Sequence, residues 1–180
     1  MWCCLVGSEM CIRDSSTVTA VAYGSPAWKA AEGEDRFRRS LYTHAKRTAP
    51  FAAFTVFDSP TGESCVARRD RSNTPLQALT LMNDEMYLEY ARALARLAWE
   101  QSSVSDQRIE VMFRRLVTRP PSAQEIGIIK DFLATQVQRL EQGELDAAQI
   151  AKQPNATGEF AAWVMVARAM MNLDEVITRP

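Results

Sequence analysis

The sequence predicts a mainly α domain: a helical bundle body over residues 74–180, preceded by an irregular, arginine-rich arm over 16–73 that includes one or two short strands. Three observations predict it. From Leu76 onward apolar residues recur at spacings of three and four, the repeat of a single helix face. Capping signals open several of these segments, among them Asn73-Thr74-Pro75 and the pair Ser122 with Glu125. Between Arg36 and Asp84, arginine, aromatic, proline and Asx residues interleave without a period, a composition that more often carries function than core.

In the arm, Val18–Tyr23 and Phe54–Phe57 have the β-branched and aromatic content of short strands. Phe37, Leu41 and Tyr42 fall on one side of a short helix over Glu34–Lys46, and Ser59-Pro60-Thr61-Gly62 reads as a turn. In the body, Pro75 after Asn73-Thr74 opens a helix through Leu76–Leu81. Asn83-Asp84 interrupts it and caps a second helix with Tyr87, Ala91, Leu94 and Ala98 on one face. Ser105 precedes a third, whose apolar positions are Ile109, Met112, Phe113 and Leu116; Pro120-Pro121 stops it. Ser122 and Glu125 form a capping box for a fourth, burying Ile126, Ile129, Leu133, Val137 and Leu140, with Gly143 as terminator. Glu144–Gln153 is weakly helical, and Lys152–Gly158 is a loop. A last helix carries Phe160, Trp163, Val164, Ala167, Met170 and Met171, a spacing that indicates core packing in preference to a cofactor box. No internal repeat is visible.

Residues 1–15 stand apart. Within 4–15, Leu5–Asp14 (L-V-G-S-E-M-C-I-R-D) resembles one translated frame of a widely used transposase sequencing adapter. The signal-peptide alternative lacks a basic n-region and a long enough apolar run. Setting the segment aside as non-native leaves 20 basic and 20 acidic residues, and the expectation of a C-terminal piece of a longer protein. Cys3, Cys4 and Cys11 go with it, leaving Cys65, so no internal disulfide, cysteine-built metal site or C-x-x-C-H haem attachment is expected. No run of eighteen apolar residues exists, and no membrane span is expected.

Charge is unevenly placed. From Arg36 to Arg71 eight basic residues face three acidic ones, whereas 72–180 holds 11 basic and 14 acidic. Arg38, Arg39, Lys46, Arg47, Arg68 and Arg69, with Tyr42 and Asn73, form a candidate anion-binding set, because guanidinium forks grip carboxylate, sulfate or phosphate in a bidentate manner. The competing reading is internal: the same arginines pair with Glu32, Glu34, Asp35, Asp58 and Asp70 to pin the arm. The catalytic alternative joins His44, Asp58 and Cys65, with Arg68 and Arg69 to stabilise a thiolate. A cysteine before Val66 is expected to be buried, and Asp58 is expected to cap the turn at Ser59-Pro60 in preference to pairing with Glu63 across a glycosidic bond. Zinc lacks a second nitrogen or sulfur ligand, and no nucleic-acid motif appears. Asn155-Ala156-Thr157 matches the glycosylation pattern by chance.

The block W-K-A-A-E-G-E-D-R-F-R-R-S-L-Y-T…K-R-T-A-P…F-D-S-P…C-x-x-R-R…S-N-T-P-L-Q-A-L-x-L-x-N-D resembles the C-terminal PSD domain of large planctomycete surface proteins. F-R-R-L-V-T-R-P-P resembles that family's penultimate hairpin, and A-R-A-M-M-N-L-D-E-V-I-T-R its final helix, so the likeness runs from Val21 to Arg179. The chain departs from the family pattern at His44-Ala45, where aromatic residues are common, and at Glu85, where proline is. The resemblance implies a domain of unknown function in an extracytoplasmic protein, periplasmic or at the cell surface. It also implies company with cytochrome c and polysaccharide use, with any haem c on an upstream domain and no cofactor in this chain. The reading that results is a non-catalytic module, binding an anionic glycan or docking a neighbouring redox domain. The alternative is a hydrolase or oxidoreductase using His44, Asp58 and Cys65. Expected partners are upstream domains of the same polypeptide and an anionic polysaccharide, with no nucleic acid.

Overall fold

A computed structural model describes residues 52–60, 64–68, 71–154 and 156–178. The expected strand at Val18–Tyr23 and helix at Glu34–Lys46 lie outside the described residues. The chain divides into two compact units, Met1–Ser72 and Asn73–Pro180.

In the first unit, Phe54–Val56 of the expected strand is helical instead of extended and Phe57 begins the turn that follows: α1 spans Ala52–Val56. The aromatic and β-branched content pointed to a strand, but such propensities are weak and yield to context. Its end is built by hydrogen bonding. The Phe57 N–H donates to the Ala53 carbonyl at 3.0 Å and the Ser59 N–H to Phe54 at 2.8 Å, while Asp58 takes the left-handed conformation at φ 55°. This is the six-to-one closure that ends many helices, with aspartate where glycine is usual.

The second unit is helical throughout its regular structure. It comprises α2 (Pro75–Asn83), α3 (Glu85–Gln101), α4 (Ser105–Val117), α5 (Ala123–Glu141), α6 (Ala147–Ala151), α7 (Gly158–Met171) and α8 (Asp174–Ile177). Among the described residues there is no strand. Thr74 caps α2 with Pro75 in the first turn, and Gln77 completes a reciprocal box: its N–H donates to Thr74 Oγ1 at 3.3 Å, and its Oε1 accepts from the Thr74 N–H at 3.0 Å. Asp84 ends α2 and caps α3, accepting from the Met86 N–H at 2.9 Å. Ser122 and Glu125 cap α5 as the S-x-x-E pattern predicts. Gly143, at φ 75°, closes the far end, where few residues but glycine fit.

Two boundaries differ from the expectation. Ser105 is the first residue of α4 and Val104 is its cap, because the Arg108 N–H already reaches the Val104 carbonyl at 3.0 Å. The helix stops at Val117, before Pro120, since Thr118 turns left-handed at φ 69° and its N–H closes on Arg114 at 3.1 Å.

α7 is the centre of the unit. Phe160, Ala161, Ala162, Trp163, Val164, Val166, Ala167 and Met170 are all buried, so it is apolar nearly all round, as a helix enclosed by others must be. It packs against α3, α5 and α6, and α3 meets it through the small stripe Ala91, Ala95 and Ala98. Ile109, Met112 and Phe113 of α4 complete the core. Each large side chain enclosed this way contributes roughly 1.5–3 kcal/mol. The Met and Trp residues of α7 are core, as their spacing indicates.

The expected apolar face of α5 is only half closed. Ile126, Ile129, Leu133, Val137 and Leu140 are partly exposed, and Gln136 is the helix's fully buried residue. Covered by α7 along one side, α5 leaves its other apolar flank open.

Candidate functional site

Of the residues singled out in the sequence, Arg38, Arg39, Tyr42, His44, Lys46, Arg47 and Arg69 lie outside the described residues. Asp58, Cys65 and Arg68 belong to the first unit and Asn73 to the second. Asp58 sits in the turn after α1, where one carboxylate oxygen accepts both the Ser72 N–H at 2.8 Å and the Ser72 hydroxyl at 2.7 Å. These bonds tie the turn to a residue fourteen positions on, in place of the local cap expected at Ser59-Pro60. Cys65 is a free thiol and is exposed, against the expectation of burial. The whole stretch Ser64–Arg68 is exposed, so Val66 beside it does not draw the thiol into a core. Asn73 is exposed and donates through Nδ2 to Asp174 Oδ1 at 2.5 Å, tying the first residue of the second unit to α8. No group of three or more histidine, cysteine, aspartate or glutamate side chains suited to a metal occurs among the described residues.

The body itself offers a different surface. An open groove of about 280 Å³ runs between α4, α5 and α7, lined by Phe113, Ile128, Ile129, Phe132, Met170 and Leu173. Ile128 is 62% exposed and Leu173 is 38% exposed, so large apolar side chains meet solvent along the rim. The one titratable group in the lining is Glu125.

Glu125 is already committed. Arg119 donates to it twice, from Nη2 to Oε1 at 2.7 Å and from Nη1 to Oε2 at 3.0 Å, and the Ser122 N–H donates to Oε2 at 2.6 Å. These donors, Arg119 foremost and the Ser122 backbone next, hold its pKa down at about 2. The other edge of Arg119 grips Glu175 of α8, with Nε to Oε1 at 2.9 Å and Nη2 to Oε2 at 2.8 Å. Glu175 is thereby lowered as well, and the two carboxylates raise Arg119 in return. The guanidinium also lies 4.9 Å from the Phe113 ring centroid. Three donors hold this carboxylate ionised and oriented, one on Oε1 and two on Oε2, and the rest of the groove's lining is apolar.

Sequence reasoning missed this clamp. R-P-P-S-A-Q-E gave the capping box, yet nothing local ties Arg119 to Glu175, 56 positions on. It likewise missed Arg108, whose guanidinium stacks 3.8 Å from the Trp99 ring centroid and 5.5 Å from that of Trp163.

The family model of PSD1, "Protein of unknown function (DUF1553)", matches residues 8–133. The chain belongs to that family. The match opens at Ser8, inside the segment read as adapter-derived, and ends within α5, so the PSD1 model covers most of the groove's α4 and α5 walls but not α7. No curated protein and no solved structure matches the chain.

Proposed function

We propose that this PSD1 chain is a non-catalytic docking module, and that it receives a neighbouring domain of its own polypeptide at the groove between α4, α5 and α7. One observation supports this reading above the others. An open concave surface of the body is apolar, and the single ionisable group in its lining is held by Arg119 and Ser122. Exposed apolar patches on soluble proteins mark interaction sites, and those without a working acid, base or nucleophile suit binding rather than turnover. The extracytoplasmic setting, and a haem c held by the docked domain, form part of the proposal; they rest on the family resemblance. A photo-crosslinking residue at position 128 tests it. Adduct formation with the upstream region of the same polypeptide, and none from position 138 on the same helix, is expected. Equal yields from both positions would count against docking.

A second reading, anionic-glycan binding, is favoured by Arg68, which is exposed and forms no ion pair with a described residue. Calorimetric titration with a sulfated polysaccharide tests it: Arg68→Ala weakens binding if the reading is right and leaves it unchanged if not. The catalytic alternative with His44, Asp58 and Cys65 receives less support, since Asp58 is engaged by Ser72.

A further inference from the structure

We infer that Leu173–Thr178 is a latched strap closing one end of the groove, held by polar contacts that open without unfolding the body. Four observations carry this. α8 spans four residues and buries none of them fully. Its cap residue, Leu173, has no side chain able to bond the free N–H groups, and this same residue forms part of the groove wall. Two polar tethers fasten it, Asn73 to Asp174 and Arg119 to Glu175. Both involve partly exposed groups, the Arg119 side chain being 42% and Glu175 41% exposed.

These properties place the strap at the low-stability end of the molecule. Segments with few buried contacts and solvent-exposed bonds open locally at far lower cost than the core around them. α7, by contrast, is enclosed along its length and stays put when the strap leaves. Release of α8 carries Leu173 away from Met170 and Phe113, lengthening the groove toward the Arg119 end. Arg119 then keeps Glu125, so the cap of α5 survives the opening. The strap uses the groove of the docking proposal but needs no partner, and its test is run on the isolated chain.

The test is amide hydrogen exchange followed by mass spectrometry, on the wild-type chain and on Glu175→Gln and Asn73→Ala. Glu175→Gln removes one grip of Arg119 and leaves Glu125 in place. The expected result is about fivefold faster exchange across 173–178 in each variant, the scale of one exposed ionic contact, with α3, α4 and α7 unchanged. Binding of an apolar fluorescent dye rises in parallel as the groove lengthens. Unchanged exchange in 173–178 would overturn the inference. So would acceleration spread evenly over the core, since α8 would then be part of one cooperative unit.

Discussion

Arg108 and Arg119 are assembled from the same parts, yet the molecule uses them in different ways. Each lies over aromatic surface, Arg108 over two rings and Arg119 over one, and each faces carboxylate. Arg108 lies between Trp99 and Trp163 with its side chain 7% exposed, donating through Nε to the Ser102 carbonyl at 2.7 Å and through Nη1 to Glu159 at 3.3 Å. Arg119 is 42% exposed and spreads five short bonds over two carboxylates. Arg119 therefore has the richer list of bonds, and Arg108 the greater consequence for stability. Contacts made in water's presence are screened and replaceable, whereas a desolvated guanidinium leaves unpaired groups behind when it is lost. The first region is core that happens to contain a charge; the second is a fastening on the surface.

Substitutions at the two arginines and their supports test that contrast. The largest effect is expected from Trp163→Ala, which removes a wall of the Arg108 slot and opens a cavity; ~3–5 kcal/mol of stability is lost in denaturant unfolding. Next comes Arg108→Met, which keeps the stem's packing but orphans the Ser102 carbonyl, at ~2–3 kcal/mol. Ser122→Ala uncaps α5 and costs about 1 kcal/mol. Arg119→Gln is expected to have the smallest effect on thermal stability of the series, and one that shrinks further in high salt. A loss for Arg119→Gln exceeding that for Arg108→Met would invert the comparison.

Acid sharpens it further. The folded-state pKa of Glu125 lies below the ordinary value of 4.5, at about 2, and that of Glu175 is lowered in the same direction. A depressed carboxylate contributes stability that is present above the ordinary value and is lost as pH falls from there through the folded value. The clamp's contribution is accordingly complete at neutral pH and fades between about pH 4.5 and 2. Wild-type stability falls across that window, and Arg119→Gln should show a shallower fall, measured by thermal melts at stepped pH.

The contrast also explains what was legible in the sequence. The Ser122–Glu125 capping box, the Asp84 cap, the Gly143 terminator and the apolar run of α7 depend on residues within one or two turns of each other, so local reasoning reached them. The Thr74–Gln77 box follows the same rule and was missed, although its T-x-x-Q spacing is as local. Phe54–Phe57 was misread because four residues offer too little period to separate helix from strand. The end of α4 was placed too late because prolines are visible and a left-handed threonine is not. The groove and the clamp were out of reach for another reason. Arg119 meets Glu175 only after α7 has folded back past α4, and the exposure of Ile128 depends on which side of α5 the neighbouring helices leave open.

The most direct test of docking at the groove is calorimetric binding between this chain and the upstream region of its own polypeptide, comparing wild type with Ile128→Glu. Saturable binding by the wild type is expected, with a loss of at least about tenfold in the variant, the scale of an apolar anchor residue, and an unmoved melting temperature. Equal affinities for the two chains would contradict it.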